Sequence, residues 1–170
     1  MFTFILGGSA SGKSEYAEGR VLLLPGQRVY IATLEPWDDE CQKRIRKHQN
    51  ARAQRGFLTL ECYRGLDHLA VPENSNVLLD GLGNLVAGEL YSAEGRGTDA
   101  ILAGVEHLLK QCRHLTIVAD EVFSGGSDYA GDTLRYLREM GRLHRDLARR
   151  ANRVVEVVCG IPNVLKEAEI

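Results

Sequence analysis

FTFILGGSASGKS (residues 2–14) sets a short apolar run directly against a glycine-rich turn that closes on Lys13-Ser14. The pattern Gly-x-x-x-x-Gly-Lys-Ser runs from Gly7 through Gly8, Ser9, Ala10, Ser11, Gly12 and Lys13 to Ser14. Glycines at these places let the backbone curl so that successive N–H groups converge on a phosphate chain. A helix that starts at the end of the turn adds its N-terminal amides and positive dipole end. Lys13 then reaches the β- and γ-phosphates, and the Ser14 hydroxyl is placed to ligate Mg²⁺. A flexible turn with a chance lysine would not need a strand before it and a helix after it. With both in place, the stretch reads as a nucleoside-triphosphate site.

Working outward, short apolar runs alternate with amphipathic stretches. The expected strands are Phe2–Leu6, Arg28–Ala32, Leu58–Cys62, Asn76–Asp80, Leu115–Ala119 and Val154–Val158. Several are near-continuously apolar, as strands covered on both faces are. The expected helices are Gly12–Leu23, Asp38–Gln49, a segment around Asn84–Tyr91, Asp99–Gln111 and Asp132–Ala151. This alternation predicts an α/β fold of the P-loop NTPase type, doubly wound, with a mostly parallel sheet and helices on both faces. No repeat, low-complexity tract or linker interrupts it, so one domain spanning residues 1–170 is expected.

Composition narrows the function. The chain has 170 residues, 44% hydrophobic and 26% charged, the balance of an ordinary globular protein. Lysine plus arginine number 21 against 23 acids, for a net charge of −2, which argues against a nucleic-acid partner. No apolar run approaches the ~20 residues of a membrane span. A strand and phosphate loop at the very N-terminus leave no room for a leader, so a cytoplasmic location is expected. Cys41, Cys62, Cys112 and Cys159 are widely spaced without a Cys-x-x-Cys pair, and they read as free thiols rather than a zinc or disulfide framework.

A phosphate-loop enzyme also needs a carboxylate beside its magnesium, at the end of a neighbouring strand. Asp80 ends Val77-Leu78-Leu79, and Asp120-Glu121 follow Thr116-Ile117-Val118-Ala119. Both positions qualify, and spacing alone leaves the choice open. The stretch WDDECQKRIRKHQNAR (residues 37–52) puts Cys41, Ile45 and His48 on one helical face, with Arg44 a turn before His48 and Arg52 a turn after. Two roles fit His48: the end of an apolar stripe, or a nucleophile toward phosphorus whose flanking guanidiniums hold phosphate charge.

These pieces together resemble the bifunctional adenosylcobinamide kinase/adenosylcobinamide-phosphate guanylyltransferases of cobalamin biosynthesis. The resemblance rests on Gly-Gly-x-x-Ser-Gly-Lys-Ser (7–14), Tyr-Ile-Ala-Thr (30–33), Asp-Asp-Glu (38–40) and Arg-Ile-x-x-His-x-x-x-Arg (44–52). It continues through Glu-Cys-Tyr-x-x-Leu-Asp (61–67), Asp80, Glu121-Val122 and Val-Val-x-Gly-Ile-Pro (157–162). It implies two chemistries: transfer of a γ-phosphoryl from ATP or GTP to the hydroxyl of adenosylcobinamide, and transfer of GMP from GTP onto the resulting phosphate through a GMP–histidine intermediate. On the matching positions, His48 is the nucleophile and Lys13 its catalytic partner at the phosphates. Nucleotide contacts fall on Gly7, Gly8, Ser9, Ala10, Ser11, Gly12, Lys13, Ser14, Thr33, Leu34, Glu35, Gln49, Asn50, Ala51, Arg52, Glu61 and Asp80. Mg²⁺ falls to Ser14 and Asp80, with Asp120 or Glu121 as the alternative. The partner implied is a corrinoid, adenosylcobinamide or its phosphate, and the assembly a homotrimer.

Three stretches differ from the family pattern: Ala10 stands where arginine is usual, Gly81-Leu82-Gly83-Asn84 follows Asp80, and Phe123 to Asp128 replaces a Gly-x-Gly-Ile-Val-Pro loop. A plain small-molecule kinase, or a nucleotide-binding regulator without catalysis, would carry the same phosphate loop. On the late helix, Arg135, Arg138, Arg142, Arg145 and Arg149 form a charged stripe beside Leu134, Leu137, Leu143 and Leu147, with Glu139–Arg142 and Asp146–Arg150 as expected pairs. His68, His107, His114 and His144 read as structural or surface residues. Trp37 reads as a packing residue or a stacking surface for a base.

Overall fold

The computed structural model describes residues 1–36, 39–125 and 128–168, and only the backbone of residues 39–41, 43, 44, 47, 48 and 51. The elements follow the predicted alternation: β1 (Phe2–Gly7), α1 (Lys13–Leu22), β2 (Arg28–Ala32), α2 (Asp39–Gln54), β3 (Phe57–Glu61), β4 (Asn76–Asp80), α3 (Leu82–Tyr91), α4 (Thr98–Gln111), β5 (His114–Asp120), α5 (Gly131–Arg150), β6 (Arg153–Val158) and β7 (Ile161–Glu167). They build one sheet of order β3-β2-β4-β5-β1-β6-β7, parallel except for β7, which runs antiparallel to β6.

Side chains alternate across the sheet with the period of a strand. On one face Phe2, Phe4, Val77 and Leu79 pack under Leu82 and Leu85 of α3, Ile101 and Val105 of α4, and Met140, Leu143 and Leu147 of α5. On the other, Ile5, Tyr30, Leu78 and Val118 meet Ala17 and Val21 of α1. The central strands are therefore apolar on both sides, which is why they read as continuous hydrophobic runs.

Several boundaries differ from expectation. β3 starts at Phe57 rather than Leu58, because the buried Phe57 ring is its anchor in the core and Leu58 faces out. α2 continues to Gln54, past the expected Gln49. β7 was not anticipated: its residues are exposed throughout and it contains Pro162, so no apolar pattern marks it. Cys159 and Gly160, both at positive φ (50° and 78°), form the tight turn into it, the backbone that two-residue hairpins require. On α5 Arg142 pairs with Glu139 as expected, whereas Asp146 pairs with Arg149 and Arg150 reaches Glu106 of α4 instead. Leu143 and Leu147 are buried, with Met140 a turn before them, while Leu134 and Leu137 are only half-buried.

Candidate functional site

Gly7, Ala32, Asp80 and Asp120 sit at the carboxyl ends of parallel strands, with Gly7 level with Asp120 and Ala32 level with Asp80. In open α/β sheets this edge is where ligands bind. The phosphate loop rises from β1 here. Gly12 (φ 88°) enters the left-handed region just before α1, and Ala10 does so at φ 56°. The loop is braced from behind by the β6–β7 turn: Gly160 donates its N–H to Ser11 O at 2.8 Å. A Cβ on Gly12 would lie 3.2 Å from Gly160 Cα, and one on Gly7 would lie 2.6 Å from Val157 O. The C-terminal hairpin thus holds the loop in shape.

The two candidate carboxylates take different partners. Lys13 Nζ lies 2.6 Å from Asp120 Oδ1 and donates to Gly8 O at 3.1 Å. Asp80 accepts from the Ser14 hydroxyl at 3.2 Å and from the Tyr30 hydroxyl at 3.1 Å. Glu121 reaches neither: its carboxylate accepts from Phe123 N and the Ser124 hydroxyl, and the Ser124 bond holds its pKa below the usual range. Burial pushes the Asp80 carboxyl up, against the pull of Ser14, Tyr30, Arg52 and Lys13. Burial likewise raises the Tyr30 phenol, with Asp80 adding to the effect.

Ser14 and Asp80 suit a small hard cation. Both offer oxygen, they already touch, and a divalent charge there would offset the desolvation that weighs on Asp80. Among the described residues there is no cluster of three or more His, Cys, Asp or Glu side chains able to enclose a metal. Any cation held by this pair would complete its shell with water and substrate phosphate oxygens.

A cavity of about 320 Å³ opens beside Asp80, lined by Tyr30, Ala32, Thr33, Leu34, Ile45, Gln49, Arg52, Gly81 and Asn84. The Arg52 guanidinium lies 3.5 Å from the Tyr30 ring centroid, a cation–π contact, and its Nε is 3.2 Å from Glu18. Gln49 donates to Glu61 at 2.9 Å, so β3 and α2 are tied at the rim. The structure therefore gathers Thr33, Leu34, Gln49, Arg52 and Asp80 around one space, with Ser14 against Asp80 and Glu61 against Gln49. Glu35 lines an adjoining cavity instead. Ser9, Ala10 and Asn50 are exposed and line neither. His48 lies in α2 between Ile45 and Arg52, which both face the cavity; the side chains of His48, Arg44, Cys41 and Ala51, and the whole of Trp37 and Asp38, fall outside the described residues.

Tyr30, Glu18 and Asn84 join the site although the sequence assigned none of them a binding role. Tyr30 opens the Tyr-Ile-Ala-Thr motif at the end of β2, but a strand tyrosine ordinarily reads as packing. Of the other histidines, His68 is exposed, and His144 sits edge-on to Phe4 and Phe123 at 5.4 and 5.5 Å between ring centroids.

Comparison with known proteins spans nearly the whole chain. The family model described as cobinamide kinase / cobinamide phosphate guanyltransferase matches residues 3–165. The chain is 31% identical to the bifunctional adenosylcobalamin biosynthesis protein CobU of Escherichia coli K12, covering 95% of this chain and 97% of that one. It is 32% identical to the bifunctional adenosylcobalamin biosynthesis protein CobP of Pseudomonas aeruginosa PAO1, covering 98% of each. A structurally studied protein from Pyrococcus horikoshii OT3 superposes with a TM-score of 0.54 at 9% identity, over 99% of this chain and 87% of the other, a likeness of fold.

Proposed function

This chain belongs to the cobinamide kinase / cobinamide phosphate guanyltransferase family, and from that premise we propose that it phosphorylates adenosylcobinamide and then guanylylates the product through a GMP–His48 intermediate. The observation that carries the reading is the single cavity bordered by Asp80 and by Ile45, Gln49 and Arg52 of α2, the helix that contains His48. A nucleotide held on the phosphate loop would have the His48 helix as the opposite wall.

In the transferase half, a neutral His48 nitrogen attacks the α-phosphorus of GTP. A phosphorus–nitrogen bond forms, the bond to the bridging oxygen breaks, and pyrophosphate leaves with that bonding pair; the imidazole N–H proton passes to solvent. An oxygen of the acceptor's phosphate then displaces the imidazole, which takes back a proton from solvent as it leaves, giving the diphosphate-linked GMP product and restoring His48. In the kinase half, the acceptor hydroxyl oxygen attacks the γ-phosphorus of ATP or GTP and gives its proton to solvent, while the bond to the bridging oxygen breaks and the nucleoside diphosphate leaves with that bonding pair. Lys13 and the loop amides carry phosphate charge in both. Arg52, steered by Glu18 and Tyr30, faces the same cavity and adds a fixed guanidinium. Mg²⁺, held by Ser14 and Asp80, would supply electrostatic stabilisation of the triphosphate.

Under this reading the chain works as one domain, in the cytoplasm, as a homotrimer, with a corrinoid as its partner and no nucleic acid. Among the described residues no helix is long and apolar enough to cross a membrane. The test is intact-protein mass after incubation with GTP and Mg²⁺ at alkaline pH, where a phosphoramidate survives. One GMP adduct on the parent and none on His48→Ala is expected; no adduct while GTP binds would remove the transferase half.

A further inference from the structure

Beside the cavity at Asp80 lies a second one, of about 300 Å³, lined by Thr33, Glu35, Tyr63, Asn84, Ala87, Gly88, Tyr91 and Ser92. Thr33 and Asn84 line both, so the two spaces meet at these residues. One wall is a helical stripe: Asn84, Ala87, Gly88 and Tyr91 recur at the spacing of one face of α3. The opposite wall is Tyr63, with the segment after β2. Gly88 sets the width, because a Cβ there would lie 2.3 Å from the Tyr63 carbonyl oxygen. The missing side chain lets the Tyr63 backbone press against α3.

Most polar groups in this cavity are already engaged. The Tyr91 hydroxyl donates to Asp132 O at 2.6 Å, Ser92 to Gly88 O at 2.7 Å, and Tyr63 to Glu61 at 2.8 Å. Thr33 donates to the carbonyls of Asp80 and Gly81. The Asn84 carboxamide is different: among the described residues its side chain makes no hydrogen bond, and it stands at the junction of the two spaces. The cavity therefore offers aromatic and aliphatic walls with one exposed amide, unpaired within the described residues, at its junction with the cavity beside Asp80.

We propose that this second cavity is the acceptor subsite, receiving the hydroxyl-bearing arm of the corrinoid while the macrocycle stays outside. This rests on the function proposed above. Three observations support it. Group transfer requires the acceptor within contact of the nucleotide's phosphates, and this cavity adjoins the one beside Asp80, sharing Thr33 and Asn84 with it. Its volume suits a short arm and not a corrin ring. Its chemistry matches an amide-linked hydroxyalkyl chain, with methylenes against Tyr63, Tyr91 and Ala87 and an amide or hydroxyl paired with Asn84.

The test is equilibrium dialysis of adenosylcobinamide, followed by its visible absorbance, against the parent, Ala87→Leu and Asn84→Ala, with GTP binding measured in parallel. Ala87→Leu fills the cavity with a good helix former, and Asn84→Ala removes an exposed group that has no hydrogen bond to lose. Acceptor affinity is expected to fall about ten-fold in each, the scale of a few lost or obstructed contacts, with GTP affinity within about two-fold of the parent in Ala87→Leu, whose position lines only the second cavity. Unchanged acceptor affinity overturns the proposal. So does loss of GTP affinity instead, which would make the cavity a purine pocket. Failure of the proposed function reads out separately, as a parent that forms no GMP adduct and turns over no acceptor.

Discussion

Lys13 Nζ is 2.6 Å from Asp120 Oδ1, so the lysine that ends the glycine-rich loop is held by a carboxylate of the protein itself. Lys13 is nearly buried, with 11% of its side chain accessible, and Asp120 is half-open at 47%. Under the proposed function, an arriving triphosphate would replace Asp120 as the lysine's anion. Holding Lys13 in this way keeps it extended at the loop, at the cost of competition.

Removing the competitor frees the lysine. Asp120→Asn is expected to bind GTP more tightly by about five-fold, roughly 1 kcal/mol, the upper range for a partly exposed pair. Calorimetric titration at two ionic strengths checks this, and the difference should shrink with salt. Weaker binding would mean that Asp120 serves the metal.

Asp80 has the opposite character, as burial raises its carboxyl above the ordinary value. The folded protein then binds this proton more readily than the unfolded chain, so the ionised group subtracts stability as pH rises through the raised pKa. Without ligands, Asp80→Asn should melt above the parent at neutral pH, and the two should converge in acid. The same variant should lose Mg²⁺-dependent nucleotide binding. Differential scanning calorimetry across pH, with and without Mg²⁺ and GTP, reads both.

His144 titrates in the other direction. Burial lowers its pKa from 6.5 to about 4, although Glu121 and Asp120 pull upward. Between those values the unfolded chain binds the proton and the folded one does not. Its contribution is therefore intact above the unfolded value and drains away as pH falls toward about 4. Thermal midpoints of the parent should drop more steeply over that interval than those of His144→Gln. The variant should also loosen the 121–125 segment, since Phe123 packs on this ring.

Gly12 joins two constraints: a φ of 88°, and only 3.2 Å between the place a methyl carbon would take and Gly160 Cα. Gly12→Ala should cost about 1–2 kcal/mol for the left-handed backbone, with a further loss of nucleotide binding as the loop shifts. Urea unfolding and GTP titration separate the two effects.

Much of the fold was legible because its signals are local. The phosphate loop needs glycine at the turn and Lys13-Ser14 at the head of α1, all within the short stretch Gly7–Ser14. The core strands announce themselves through apolar runs, since both faces are covered. β7 carried no such mark: an exposed edge strand gains its place by pairing with β6, and pairing leaves no periodicity in a solvated segment. The role of the turn before it, bracing the phosphate loop from the other end of the chain, was equally silent.

By itself the sequence determined the class of fold, the phosphate loop and the family to which the chain belongs. Only tertiary structure decided which acid meets which partner. Asp80 and Asp120 both end apolar strands and are equivalent as letters. The order of strands brings Asp80 to Ser14, across 66 residues, and Asp120 to Lys13. It also folds Arg52 over Tyr30 and sets Asn84 between two cavities at once. These relationships follow from register between strands distant in sequence, where a shift of one residue would turn every side chain to the other face.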